Sequence, residues 1–342
     1  MKRFSIIIPA FNAQATIKRC LDSVYALSVP EDEYEVIVID DCSTDHTVEI
    51  IDTYGQDHSN LTLLVQSQNH RQGAARNRGL QIAQGECVLF LDSDDELVSG
   101  VLSALDLSQK NELDMVVMRC ERIDSEGNVD IEYSLPLAPD CIFTGVAFQT
   151  EYPYWCTAPW AYMYRRSFLR RVNYPFAEDV LFEDADFVME HLFHSARISY
   201  SDECGYRMWN NPLSTTHTIS YKHVSDYAAL GTRVLSLYQR LEDKNSPYAD
   251  SILEGGSYNV MRSCKSLLKL KSFSDVCAFY SRFDSLTDRG SLLSYSKPTY
   301  CWNRWTRFCM RHKYGTILIV GTILSLNLVS LIKKVKQYSN SV

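Results

Sequence analysis

Cys87-Val88-Leu89-Phe90-Leu91-Asp92-Ser93-Asp94-Asp95 is the stretch that decides the fold. Five apolar residues in a row suit a strand covered on both faces, as in a parallel sheet. The run stops at three carboxylates within four positions. The same grammar recurs upstream. Phe4 to Ile8 is a β-branched run ended by Pro9, Glu35 to Ile39 is ended by Asp40-Asp41, and Leu61 to Val65 forms a third run. Helical periods separate them. Ala13 to Leu27 sets Ile17, Cys20, Leu21, Val24 and Tyr25 on one face. Asp45 to Tyr54 buries Val48, Ile50 and Ile51, with Gly55 suited to its C-terminal cap, and Ala74 to Ala83 is closed by Gly85. Strand and helix in strict alternation predict an α/β fold, a mostly parallel sheet flanked by helices. Ligands of such sheets bind at the carboxyl ends of the strands, where the polar residues lie here.

Beyond Leu97 the pattern loosens. Helices are expected at Val101 to Leu107, Arg166 to Val172 and Asp184 to Ser195, and strands at Met115 to Arg119 and Ile198 to Arg207. Residues 121–165, rich in Pro, Tyr and Trp, read as irregular. From Val224 to Phe283 the text is helical, a C-terminal helical region with Leu230, Val234, Leu237, Tyr238 and Leu241 in helical spacing.

Charge is unevenly spread over the 342 residues. The net −8 conceals a tail, residues 297–342, that carries +8 with no Asp or Glu, so residues 1–296 carry −16. An acidic body argues against a nucleic-acid binder, which needs a basic face. The 11 cysteines are scattered, with no CxxC pair, so structural zinc is not expected. Ile6-Ile7-Ile8 before Pro9 is too short for a signal-peptide core, which predicts a protein of the reducing cytoplasm.

The cluster Asp92-Ser93-Asp94-Asp95 has two readings. Three close carboxylates repel unless a cation or donors compensate them. Mg²⁺ or Mn²⁺ held by one or two carboxylates plus substrate phosphates would do so. A helix N-cap box would use the same residues. Asp40-Asp41-Cys42-Ser43-Thr44-Asp45 has the same choice, with capping of the helix at Asp45 the simpler option. No GxGxxG follows the first strand and no GxxxxGK[ST] occurs, which argues against a dinucleotide-binding Rossmann protein and a P-loop NTPase.

Ser5-Ile6-Ile7-Ile8-Pro9-Ala10-Phe11-Asn12, Val38-Ile39-Asp40-Asp41-Cys42-Ser43-Thr44-Asp45, Asn69, Gly73-Ala74-Ala75-Arg76-Asn77-Arg78-Gly79, Gly85 and Phe90-Leu91-Asp92-Ser93-Asp94-Asp95 occur in this order over about 95 residues. Together they resemble the family-2 glycosyltransferases with the GT-A fold. The resemblance weakens over residues 150–220 and is absent beyond. It implies that Pro9, Ala10, Asn12 and Asp41 hold the nucleotide, with Asp41 on the base. Asp92, beside Ser93, faces the ribose, and Asp94 with Asp92 ligates Mn²⁺ or Mg²⁺ on the donor diphosphate. Arg76 reaches the diphosphate, with Arg78 as its competitor. The catalytic base falls in Phe182-Glu183-Asp184-Ala185-Asp186: Asp184, with Glu183 as neighbour. An acidic helix start is the plainer reading of that pair. The aromatic segment Trp160 to Phe168 suits either sugar stacking or core. Tyr206-Arg207 with Ser214-Thr215 resembles a segment closing over the diphosphate, and His217 is a weaker metal candidate. The Gln-x-x-Arg-Trp of processive members is missing, so single-sugar transfer is expected.

The resemblance divides the chain into a nucleotide-sugar half (1–100), an acceptor half (101–222), a helical extension (223–296) and a tail (297–342). In the tail, Trp302, Arg304, Trp305, Arg307 and Phe308 interleave as in an interfacial helix on anionic lipid. Tyr314 to Ile332 is uncharged and long enough for about 28 Å of helix. The expected partners are a nucleotide-diphosphate sugar, a glycan or lipid-linked glycan acceptor and an anionic membrane surface, with no nucleic acid, at the cytoplasmic face of the membrane. The competing expectations are transfer to a polyprenyl phosphate, held by Arg165, Arg166, Arg170 and Arg171, and a catalytically silent sugar-binding protein.

Overall fold

A computed structural model describes residues 2–137, 141–152, 156–210, 220–267, 270, 272–286, 309 and 316. The chain forms two compact units, Met1–Pro212 and Leu213–Val342. In the first, β1 (Phe4–Ala10), α1 (Ile17–Tyr25), β2 (Tyr34–Asp40), α2 (Thr47–Gly55), β3 (Leu61–Val65), α3 (Arg71–Ile82) and β4 (Cys87–Phe90) alternate as the sequence predicts. Then follow β5 (Glu96–Leu97), α4 (Gly100–Asn111), β6 (Met115–Ile123), β7 (Val129–Tyr133), α5 (Gly145–Glu151), β8 (Tyr162–Arg165), α6 (Arg166–Val172), α7 (Asp184–His194) and β9 (Ile198–Trp209).

One sheet runs in the order β3-β2-β1-β4-β8-β6-β9-β5, with β7 paired to β6. The first four strands are parallel, with Ile8 opposite Val38 and Ile7 opposite Phe90. β8 runs antiparallel to both β4 and β6, and β9 returns parallel to β6. β1, β2 and β4 are buried along nearly their whole length, which is why their sequences read as unbroken apolar runs.

Residues 121–165 are more ordered than predicted, for they hold the end of β6, β7, α5 and β8. β7 escapes a periodicity search because it pairs with β6 alone, and none of its side chains is fully buried. α1 is shorter than the apolar face suggests. Ala13 to Thr16 form a turn instead, whose Ala13 N–H is taken by Thr47 Oγ1 at 2.7 Å.

The second unit contains α8 (Tyr221–Arg240), α9 (Pro247–Ser266) and α10 (Phe273–Leu286). Val224, Leu235, Leu253, Val260, Phe279 and Phe283 form its core. Asp226, fully buried on α8, is neutralised by Lys222 at 3.1 Å and Arg282 at 3.2 Å. Of the tail predicted to meet a membrane, only Cys309 and Thr316 are among the described residues. No helix among the described residues is long and apolar enough to cross a membrane.

α3 lies against β1 at close range. A Cβ placed on Gly79 would stand 2.4 Å from Ile7 Cγ2, so only a bare Cα fits there. Gly79→Ala is therefore expected to lower stability by about 1–3 kcal/mol, as overpacking does. Gly55→Ala, whose new Cβ meets only Leu61 Cδ2 at 3.5 Å, should be near neutral. Urea unfolding of both variants checks the contrast, and equal midpoints would contradict it.

Candidate functional site

The strand ends build one wall of the site. Pro9 and Ala10 close β1 opposite Ile39 and Asp40 of β2. Asn12 follows with φ 49°, a left-handed conformation that Asn tolerates better than most side chains. It pins two loops together. Its N–H donates to Ser43 Oγ and its Oδ1 accepts from the Thr44 N–H, each at 2.9 Å. Asp40 accepts from the Ser43 N–H at 2.9 Å through Oδ2.

Asp41 does something the sequence did not suggest. Its Oδ1 accepts from Gln66 Nε2 and the His70 N–H, both at 2.8 Å, and its Oδ2 accepts from the Arg71 N–H at 2.7 Å. It thus caps α3, a helix 30 residues later in the chain. Burial pushes its carboxyl up, and the two backbone N–H groups pull it part of the way back. Capping of α2 falls to Asp45, which accepts from the Thr47 N–H at 3.0 Å.

The acidic loop after β4 meets α3 at Arg76. This guanidinium is 2% exposed. Nη2 donates to Asp92 Oδ1 at 2.7 Å, and Nη1 donates to Glu183 Oε1 at 2.5 Å. The Phe176 ring lies 5.5 Å away. Arg76, expected at a diphosphate, has both terminal nitrogens bonded to carboxylates and is shut away from solvent. Arg78, its competitor, is exposed and bonded to Gln81 at 3.2 Å. Burial alone would lower the arginine's pKa, but Asp92 and Glu183 more than offset it and hold it above its ordinary value.

Burial also pushes Glu183 up to about 7, against the pull of Arg76 and with a further push from Asp184. Asp184 opens α7 and accepts from the Ala185 N–H at 2.9 Å. Its carboxyl too is raised, chiefly by burial, with Arg76 opposing and Asp186 adding. A carboxylate raised in this way takes a proton more readily at neutral pH than an ordinary one. The helix-start reading holds at the same time, since Asp184 and Asp186 sit in the first turn of α7.

Asp92, Ser93 and Asp94 lie on a loop fastened from below. Tyr206 Oη donates to Asp95 Oδ2 at 2.7 Å and accepts from the Asp92 N–H at 3.2 Å. The Trp209 N–H donates to Asp95 Oδ1 at 2.8 Å. Arg19 bonds the Asp94 carbonyl and lies over the Trp209 ring at 4.3 Å. Burial, then Asp92, then Asp94, pushes Asp95 well above the usual carboxylate range. Among the described residues no three His, Cys, Asp or Glu gather as a complete metal cage. The surplus of negative charge does fit a hard divalent ion that takes one or two carboxylates and completes its shell elsewhere.

Other expectations fare differently. Trp160 stacks on Tyr206 at 4.6 Å, and Tyr162 and Tyr164 are buried, so the aromatic segment is core. Arg207 pairs with Glu121 at 3.0 Å. Of the four arginines expected to form a pocket, three are bonded elsewhere. Arg165 bonds the Leu113 and Ser108 carbonyls at 2.9 Å, Arg166 bonds the Gly85 carbonyl and Arg171 bonds Asp114 at 2.9 Å. Arg165 faces Cys87, the first residue of β4, whereas Asp92 follows that strand's far end. Ser214, Thr215 and His217 lie outside the described residues. Arg19 and Trp209 carried no local sequence signal, and Asp95 and Tyr206 were not paired with each other, because the partners are 75 to 114 residues apart.

Residues 5–172 match the family model described as Glycosyl transferase family 2. An uncharacterised Escherichia coli glycosyltransferase, YibD, is 26% identical over 293 residues, which cover 78% of this chain and 80% of the relative. The GalNAc(5)-diNAcBac-PP-undecaprenol β-1,3-glucosyltransferase of Campylobacter jejuni is 36% identical over 136 residues, 39% of this chain and 43% of the relative. Staphylococcus aureus TarS 1–349, solved with UDP-GlcNAc, superposes with a TM-score of 0.66 at 22% identity, covering 93% of this chain and 90% of that one. The GT-A fold implied by the sequence is therefore the fold of this protein.

The Glu183 environment fixes a pH dependence. The folded protein holds the Glu183 proton more firmly than the unfolded chain, so that stabilisation is full below about pH 4.5 and is lost as pH rises through about 7. The stability of the wild type relative to Glu183→Gln should fall by on the order of 3 kcal/mol across that window. Urea unfolding at several pH values measures it. A flat difference would mean that Arg76 keeps Glu183 ionised throughout.

Proposed function

With residues 5–172 this chain belongs to glycosyltransferase family 2, and on that premise we propose that it moves one sugar from a nucleotide-diphosphate donor to a hydroxyl of a glycan or lipid-linked glycan, with inversion. The observation that carries this reading is Arg76, bonded at once to Asp92 of the acidic loop and to Glu183 beside Asp184. One buried cation thereby ties Asp92 on the donor side to Glu183, the neighbour of Asp184, the proposed base.

In this reading Pro9, Ala10, Asn12 and Asp41 shape the nucleotide cradle, while Asp92 and Ser93 approach the ribose. Asp94 and Asp92 would hold Mn²⁺ or Mg²⁺. When bound, the ion neutralises the diphosphate and stabilises charge on the leaving group. The acceptor hydroxyl loses its proton to Asp184 as its oxygen bonds the anomeric carbon, and the bond from that carbon to the diphosphate oxygen breaks with its electron pair. A single displacement of this kind inverts the anomeric centre. Glu183 is committed through Oε1 to Arg76, which leaves the acceptor proton to Asp184.

A polyprenyl phosphate as direct acceptor is less well supported, because Arg165, Arg166 and Arg171 are committed to structural bonds. A lipid-linked glycan fits better, as the acceptor named for the Campylobacter relative has that chemistry. We assign the tail, residues 297–342, to an anionic membrane surface at the cytoplasmic face, on its +8 charge and interleaved Trp and Arg.

A panel of UDP-, GDP- and dTDP-sugars, with and without Mn²⁺, tests the activity. One donor should bind in a Mn²⁺-dependent manner and be turned over. Asp184→Asn should keep that binding and lose about 10²-fold or more in transfer. Binding without turnover in the wild type would mark a silent sugar-binding protein. For the tail, full-length protein should co-sediment with phosphatidylglycerol vesicles and a chain ending at residue 296 should not. Equal distribution of the two would remove the membrane assignment.

A further inference from the structure

Asn77 follows Arg76 on α3, and its side chain grips a single residue of the loop that leads to α7. Oδ1 accepts from the Phe176 N–H at 2.9 Å, and Nδ2 donates to the Phe176 carbonyl at 3.0 Å and to Glu178 Oε1 at 2.8 Å. A carboxamide that meets both backbone groups of one residue fixes that peptide in position and orientation. The carboxamide of Asn or Gln offers a donor and an acceptor on one planar group, and the shorter of the two is the one found here.

Phe176 is itself a relay. Its ring is buried and stacks on Phe187 at 3.7 Å with an interplanar angle of 8°. Phe187 lies on α7, in the turn that Asp184 opens. The Phe90 ring meets the Phe176 ring edge-on at 5.2 Å, and the Arg76 guanidinium lies at 5.5 Å from it. One turn back on α3, Gly73 admits the same loop. A Cβ there would stand 2.2 Å from the Ala177 carbonyl oxygen and 3.2 Å from Glu183 Cβ. At the lip, the Asp179 N–H donates to the His70 carbonyl at 3.2 Å. Residues 70, 73, 76 and 77 thus hold this segment at Phe176 to Asp179 and again at Glu183.

We infer that Asn77 is a positioning residue for transfer. It holds the Phe176 peptide and, through the Phe176–Phe187 stack, sets where α7 begins and so where the Asp184 carboxylate stands. The inference rests on the reading of Asp184 as base. Asn77 does not touch the nucleotide cradle of Pro9, Ala10 and Asn12, so its loss separates catalysis from donor binding.

The test compares full-length wild type, Asn77→Ala and Asn77→Asp. The Asp variant keeps the acceptor for the Phe176 N–H and loses the two donor bonds, so it offers a second substitution of the same contact should the Ala variant not fold. Hydrogen exchange followed by mass spectrometry should show faster exchange across residues 173–183 in both variants, with β1 and β2 protected as before. With the nucleotide sugar that the wild type turns over, donor affinity should stay within about 2-fold while kcat falls by about 10- to 100-fold, the cost of a misplaced catalytic group. Unchanged exchange at 173–183, or equal losses in donor affinity and kcat, would overturn the inference. Asp184→Asn run in parallel separates the two claims. If it transfers at the wild-type rate, the base reading fails. If it is inactive while Asn77→Ala matches wild type, only the positioning role fails.

Discussion

A guanidinium buried to 2% exposure is the constraint on which the catalytic unit depends. Taking such a charge out of water costs several kcal/mol unless oppositely charged partners surround it. Arg76 finds two, Asp92 and Glu183, the second 107 residues further along the chain. Loss of either carboxylate would leave the buried arginine with one compensating charge in place of two, so the loop after β4 and the start of α7 are held in one frame. The glycines of α3 serve that frame. Gly73 admits the Ala177 carbonyl and Gly79 admits Ile7, which lets the helix carry Arg76 deep enough to reach both partners.

The charge count explains why the frame has a use beyond stability. Asp92 and Glu183 more than balance one arginine, and Asp94, Asp95, Asp184 and Asp186 surround them. The surplus shows in the carboxyls that burial and mutual repulsion lift: Glu183, Asp184 and Asp95. A protein selected for stability alone would replace such groups with apolar ones. The arrangement is compatible with the divalent ion and the acceptor proton at Asp184 that the proposed function calls for. Tyr206, Trp209 and Arg19 stiffen the loop from below, so that its carboxylates stay close despite their repulsion.

Much of this was legible in the sequence, and the failures have physical reasons. β1, β2 and β4 announced themselves because both faces are covered, so their apolar runs are unbroken. The carboxylates at the strand ends followed from the same pattern. β7 was missed because it has one neighbour and no fully buried side chain. Trp160, Tyr162 and Tyr164 were ambiguous because an aromatic residue serves a core and a sugar face equally well. Asp41 and Arg76 also have partners within the protein that the sequence did not show, the start of α3 for the first, Asp92 and Glu183 for the second. A motif fixes which residue types occur near one another in sequence. It does not show which of them are consumed by long-range bonds.

The central claim is that Asp92 and Glu183 act as one unit through Arg76, and a double-mutant cycle measures it most directly. Asp92→Asn, Glu183→Gln and the double variant would be compared with wild type by urea unfolding at a single pH above 7. Shared dependence on Arg76 predicts non-additivity of about 1 kcal/mol or more. Additivity within about 0.5 kcal/mol, the behaviour of independent sites, would contradict the account.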